Sequence, residues 1–142
     1  MKTLNSISSL LLLFGLFISS NVTAQLKLKV NGVSSKQGSF MIAVYDSQDD
    51  FMKQDAATKR IVYPLKSYEN FIEIEGLTLN QSYAIAVYHD KNNNGKLDTN
   101  IFGVPTEVYG FSNDARGTFG PPSYAESKVF CSKNKTVVIN LR

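Results

Sequence analysis

The sequence predicts an all-β domain: an antiparallel β-sandwich of about seven short strands with a long loop lobe at one end. Three observations predict it. Apolar residues recur at every second position, Gly, Asn and Asp punctuate the runs, and no helical pattern alternates with them. Length agrees, because 142 residues suffice for one domain and leave no room for a second of ordinary size.

The first stretch stands apart from that fold. MKTLNSISSLLLLFGLFISSNVTAQ opens with Lys2, carries an apolar run from Ile7 to Ile18 and closes on Val22-Thr23-Ala24. A positive start, a short apolar middle and small residues before a cleavage point are the marks of a secretory leader. Ser19, Ser20 and Asn21 end the run before it becomes long enough to span a bilayer. We expect residues 1–24 to be a signal peptide and 25–142 to be one exported domain, periplasmic or extracellular, with no transmembrane segment after cleavage. No cysteine sits near the junction to carry a lipid anchor.

The strands follow in order. LKLKVNG alternates Leu26, Leu28 and Val30 with Lys27, Lys29 and Asn31, so one face is wet. SFMIAVYD is apolar on both faces and reads as a central strand. SQDDFMKQDAATK (47–59) is the one helical hint: Ser47 is a capping residue followed by Asp49 and Asp50, which suits a helix of a turn or two. RIVYPL contains Pro64, which suits a sheet edge. NFIEIEGL alternates Ile72 and Ile74 with Glu73 and Glu75, QSYAIAVYHD is the longest buried candidate, and KVFCS and KTVVINL complete the set. The core should draw on Leu28, Val30, Ile42, Val44, Ile74, Leu77, Ile85, Val87, Val137 and Ile139. Immunoglobulin-like and transthyretin-like Greek-key topologies both fit, and no Cys-Trp-Cys pattern favours the former.

Two strands echo each other, Ile42-Ala43-Val44-Tyr45 and Ile85-Ala86-Val87-Tyr88. Small alanines between branched residues suit closely packed central strands, so the echo reads as a shared packing demand rather than a duplication.

Composition narrows the function. A formal charge of +3 with both signs scattered is too mild for a nucleic-acid footprint, and no nucleic-acid partner is expected. Cys131 is the single cysteine, so no intramolecular disulfide forms, and its place in an apolar strand predicts a buried thiol. His89 is the single histidine, which excludes zinc or copper sites built on several imidazoles. Alternation sends it to the face shared with Ile85 and Val87, opposite Asp90.

From Asp90 to Lys128 the regular pattern lapses, and a loop of that length in a small domain is functional or disordered. Ile101, Phe102, Val104, Phe111 and Phe119 give it apolar content, so a folded lobe is expected. HDKNNNGKLDTNIFGVPTE places Asp90, Asn92, Asn94, the Lys96 carbonyl and Asp98 at the spacing of an EF-hand loop, with Gly95 at its sharp turn. The twelfth position of that loop is Ile101 rather than a bidentate Glu, so Glu107 or Asp114 would have to complete a calcium site. The other reading is a polar turn in which the Asp and Asn side chains bond the local backbone. Arg116 is expected to pair with one of the neighbouring carboxylates. His89, Glu107, Tyr109, Asn113, Asp114, Arg116 and Tyr124 are the candidate ligand-binding residues.

This same stretch resembles a known family. YHDKNNNGKLDTNIFGVPTEVYGFSNDARGTFGPPSYAESKVF is similar to the signature of the bacterial domain of unknown function 2141, through the HD…NGKLD turn, the G-x-P-x-E step, GFSN and the ARG…FGPP run. The resemblance extends over essentially the whole region after the leader. It implies a small exported bacterial β-sandwich protein and brings no activity with it. The expected function is a non-enzymatic binding or accessory module whose partner is a glycan or an envelope protein, with calcium as the one cofactor considered. The alternatives are a glycan- or ester-directed hydrolase using carboxylates of the lobe, and a purely structural envelope protein.

Overall fold

The computed structural model describes residues 23–142 apart from Gln54 and Glu69, so the leader expected at 1–24 lies, but for its last two residues, outside the described residues. Strand β1 (Thr23–Asn31) buries Leu26, Leu28 and Val30 and turns Lys27 outward, as a period of two requires. Ala24 is also buried, and the register shifts between it and Leu26. Strand β2 (Ser39–Tyr45) crosses to a second sheet and pairs with β3 (Lys59–Pro64), where Pro64 ends an edge strand and its missing N–H removes no central ladder bond. Strand β4 (Asn70–Thr78) returns to lie antiparallel on β1, and β5 (Ser82–Asp90) pairs with β2.

The free edge of β5 is then shared by two short strands laid end to end. Strand β6 (Tyr109–Phe111) pairs with residues 86–88 and β7 (Lys128–Phe130) with residues 82–84. The last strand, β8 (Thr136–Asn140), docks on the open edge of β1. The result is a β-sandwich of a three-stranded sheet, β4-β1-β8, and a five-stranded sheet, β3-β2-β5 with β6 and β7. Gly110 lets β6 approach the closing strand, since a Cβ there would press on Ile139 at 2.8 Å. The Tyr109 and Arg142 backbones exchange two hydrogen bonds of 3.1 Å across that junction.

Every residue expected in the core is there, joined by Leu26, Phe40, Ile72, Tyr83 and Leu141 among others. Each such aliphatic or aromatic side chain contributes about 1.5–3 kcal/mol on burial, so the inward rows dominate the stability of the domain. Two expectations are corrected and one is refined. The described residues form eight strands where about seven were expected, because β6 is a three-residue strand inside a glycine-rich stretch with no visible alternation. β8 runs parallel to β1, since β4 already occupies the other edge and the chain enters the remaining one in the same sense. The helix hinted at 47–59 is a series of turns. Ser47 Oγ donates to Asp50 Oδ2 (2.8 Å) and accepts from the Asp50 N–H (3.2 Å), and Met52 and Asp55 then adopt φ of +61° and +68°. Such local side-chain bonds compete with helix continuation.

Cys131 is fully buried at the exit of β7, and burial pushes its thiol pKa up. The thiolate is the reactive form, so iodoacetamide labelling at neutral pH should be slow in the native protein and fast in guanidinium, as read by intact mass. Rapid native labelling would contradict this placement.

Candidate functional site

Asp90 ends β5, buried to 1% exposure, on the outer face of the five-stranded sheet. Its Oδ1 accepts the Asn94 N–H (3.0 Å) and its Oδ2 the Gly95 N–H (2.7 Å). Asn92 Oδ1 accepts from the Asn94 N–H (3.0 Å), and Asn94 Oδ1 from the Lys96 N–H (2.8 Å). The Asp98 carboxylate receives the side-chain amides of Asn92 (2.7 Å) and Asn94 (2.8 Å). Glu107 reaches back to accept the N–H groups of Lys91 (2.8 Å) and Asp98 (3.0 Å). The loop is thus wound on its own side chains, with Asn93 (φ +58°) and Gly95 (φ +76°) supplying the left-handed steps. Gly38, at φ +84°, packs so closely on the Asp90 backbone that a Cβ would overlap it. Among the described residues no three His, Cys, Asp or Glu side chains converge in a way that could hold a metal ion.

Within the rest of the 90–128 stretch the chain returns to the five-stranded sheet as β6. A single 3₁₀ turn, Ser112–Asp114, follows that strand. Ser112 Oγ accepts the Ile85 N–H (2.9 Å) and donates to the Ser127 carbonyl. Asn113 donates to the carbonyls of Glu126 (3.1 Å) and Lys128 (2.9 Å). Asp114 takes both the backbone N–H (2.9 Å) and the side-chain amide (2.6 Å) of Asn140. The short helix α1 (Tyr124–Ser127) starts in a capping box of Ser123 and Glu126, and those bonds hold the Glu126 carboxyl below its ordinary pKa.

The candidate ligand-binding residues therefore fall in different places. His89 is buried between the sheets, its ring edge-on to Phe40 at 6.0 Å, and Nε2 donates to the Gln37 carbonyl at 2.7 Å. Glu107, Asn113 and Asp114 hold backbone and side-chain amides as described, and none is set against His89 as an acid–base pair. The hydroxyl of Tyr124 donates between the carbonyls of Asp46 and Ser82, 3.0 Å from each. Tyr109, Asp114 and Arg116 come together around a cleft of about 70 Å³, far below the ~300–1,000 Å³ of small-molecule sites. The ion pair expected for Arg116 is not formed: its candidate carboxylates accept N–H groups instead. Ile101, Phe102 and Val104 stand exposed on a tip that Asn100 pins by accepting the Phe102 and Val104 N–H groups (2.9 and 3.0 Å).

A larger concavity lies where no candidate was placed. Registry across the five-stranded sheet sets its outward side chains in rows. One row runs Val62, Met41, Tyr88, Tyr109; the next Arg60, Ala43, Ala86, Phe111; the next Tyr45, Ala84, Lys128. Phe51 covers one part of this face, edge-on to Tyr45 (5.4 Å), Phe111 (6.2 Å) and Tyr124 (5.9 Å). The Asp90 loop contributes Gly95, Lys96 and Leu97 as a further wall, and Met52 another. Between them the alanine row leaves a trough of about 410 Å³, predominantly apolar. The repeated Ile-Ala-Val-Tyr was its sequence signal: antiparallel pairing sets Ala43 opposite Ala86. Two small residues face to face on an outer surface make a hollow, whereas inside a core they would allow close packing.

A family described as uncharacterized proteins conserved in bacteria (DUF2141) matches residues 28–139. No curated protein and no solved structure matches the chain.

The hydrogen bonds of the Asp90 loop yield a prediction about its chemistry. Asp90→Ala leaves the Gly95 N–H without its acceptor and the Asn94 N–H with Asn92 Oδ1 alone, which should cost roughly 1–3 kcal/mol and several degrees of melting temperature. Because the Asp90, Asn92, Asn94 and Asp98 side-chain oxygens already meet donors of the loop, millimolar calcium and excess chelator should give the wild type the same melting curve. A calcium-dependent rise that Asp90→Ala abolishes would establish the cation site instead.

Proposed function

We propose, from the premise that the chain belongs to the DUF2141 family of uncharacterized proteins conserved in bacteria, that it is an exported, non-enzymatic module binding a small ligand with an apolar body. The trough on the outer face of the five-stranded sheet carries this reading. Its volume of about 410 Å³ lies in the range of small-molecule sites. Its floor is a sheet surface and its loop wall is held by the hydrogen bonds of the Asp90 turn, so both are positioned before the ligand arrives, which reduces the ordering cost of binding. Burial of apolar surface supplies the driving force, about 25 cal/mol per Å². Glycan stacking has less support. Tyr124 is bound within the aromatic cluster, Tyr109 is edge-on to Phe111 at 6.0 Å, and Phe119 stands fully exposed on a separate loop.

The neutral dye N-phenyl-1-naphthylamine should brighten on binding the wild type. Ala86→Phe, which fills the floor of the trough, should remove the signal without lowering the melting temperature. Ala43→Leu provides a second blocking variant. Absence of enhancement in the wild type, or undiminished binding in both folded variants, would exclude the trough as the ligand site.

Export rests on the leader pattern at 1–24. Intact-mass measurement of envelope fractions should find a chain beginning at Gln25, and a full-length chain integral to the membrane would refute the assignment.

A further inference from the structure

Which ligand the trough takes is written in the polar groups around it. The two charged residues that line it, Arg60 and Lys96, are both cationic, and no carboxylate lines it. Arg60 projects from the edge strand β3 in the same row as Ala43 and Ala86. Its present partner is Asp55, at 3.4 Å, in a pair whose side chains are 51% and 83% exposed. An exposed pair of this kind contributes little to stability, so a ligand group can replace Asp55 at little cost. Tyr45 and Tyr88 also line the trough, from the rows on either side of Arg60, Ala43 and Ala86. Burial, the larger influence on each, raises their pKa and keeps both phenols protonated as donors. Neither hydroxyl has a hydrogen-bond partner among the described residues.

The trough is therefore apolar along its floor, with Arg60 at its β3 edge and a phenol in the row on either side. The Tyr88 end is different, because Asp90 and Glu107 influence that phenol more than Arg60 does. None of these carboxylates lines the trough, so an anion is accommodated at the Arg60 edge and disfavoured beside Tyr88. We propose that the trough binds an apolar carboxylate. Its head engages the Arg60 guanidinium, and its hydrocarbon body crosses the Ala43–Ala86 floor. Guanidinium presents parallel N–H groups that match the two oxygens of a carboxylate, which a lysine does not. The floor spans three strands at about 4.8 Å spacing, roughly 10 Å, enough for a medium-length chain or a ring system. Lys96, on the loop wall, adds long-range attraction for the head without fixing its geometry.

This inference rests on the trough being the ligand site, and the experiment separates the two. Decanoate, decanol and decyltrimethylammonium share one chain and differ in head charge. Each is titrated, below its micelle concentration, against wild-type protein loaded with N-phenyl-1-naphthylamine. Decanoate should displace the dye at about tenfold lower concentration than decanol, the weight of one partly exposed charge-assisted pair, and the ammonium should be weakest. Arg60→Gln should bring decanoate to the level of decanol, each displacement being referred to the variant's own dye affinity. Equal displacement by decanoate and decanol in the wild type, or a preference that survives Arg60→Gln, overturns the carboxylate assignment and leaves the trough reading standing. Failure of the wild type to bind dye or decanoate overturns both.

Discussion

The edge of β5 poses the problem that organises this domain. Two separate strands, β6 and β7, cover that edge, and between them the backbone N–H of Ile85 would face a gap. The Ser112 hydroxyl fills it, while bonding onward to the Ser127 carbonyl at the end of α1. Leaving either buried group without a partner would cost about 1–3 kcal/mol. The next two residues extend the tie. Asn113 bonds the carbonyls on either side of the α1–β7 junction, and Asp114 grips Asn140, whose side chain in turn accepts from Asn31 at 3.0 Å. Three consecutive polar side chains thus join the five-stranded sheet to the three-stranded one. Their geometry demands left-handed backbone at Asn113 (φ +61°) and Asp114 (φ +49°), which Asn and Asp tolerate better than most residues.

That tie is also why an outer face is open. β6 brings Phe111 onto the outer surface beside Ala86, and Phe51 leans over it with Tyr45 and Tyr124. The cover stops at the alanine row. The Asp90 loop approaches from the other end and leaves Gly95, Lys96 and Leu97 as a wall rather than a lid. The hollow follows from two covers of limited reach over a floor of small side chains, and needs no special backbone geometry of its own.

Much of the sandwich was legible in the sequence because a period of two reports burial directly. Leu28, Val30, Ile74 and Ile85 were placed in the core by alternation alone, and they are there. The signal failed where length failed: Tyr109–Phe111 is too short to alternate, so β6 was hidden within the 90–128 stretch. The site was less legible still. Polar residues in an irregular stretch attract attention as ligands, yet a folded irregular stretch has many backbone groups to satisfy, and Glu107, Asn113 and Asp114 hydrogen-bond to such groups. The hollow gives no polar signal. It depends on which residues oppose each other across a strand pair, and the echo of Ile-Ala-Val-Tyr became informative only with the β2–β5 register known.

The same accounting explains why a trough beside a carboxylate-rich loop carries positive charge at its rim. Asp90, Asp98 and Glu107 are all close enough to influence Tyr88, and a site open to them would repel anions. Each is turned towards N–H donors of the loop, so their oxygens face the turn and none lines the hollow. Their charges are met locally by aligned dipoles, which act at short range. Arg60 stands at the opposite edge, on β3, with only an exposed partner. Folding a carboxylate-rich loop on its own amides therefore separates the two signs of charge across the sheet. The polarity of the site follows from how the loop is hydrogen-bonded rather than from its composition.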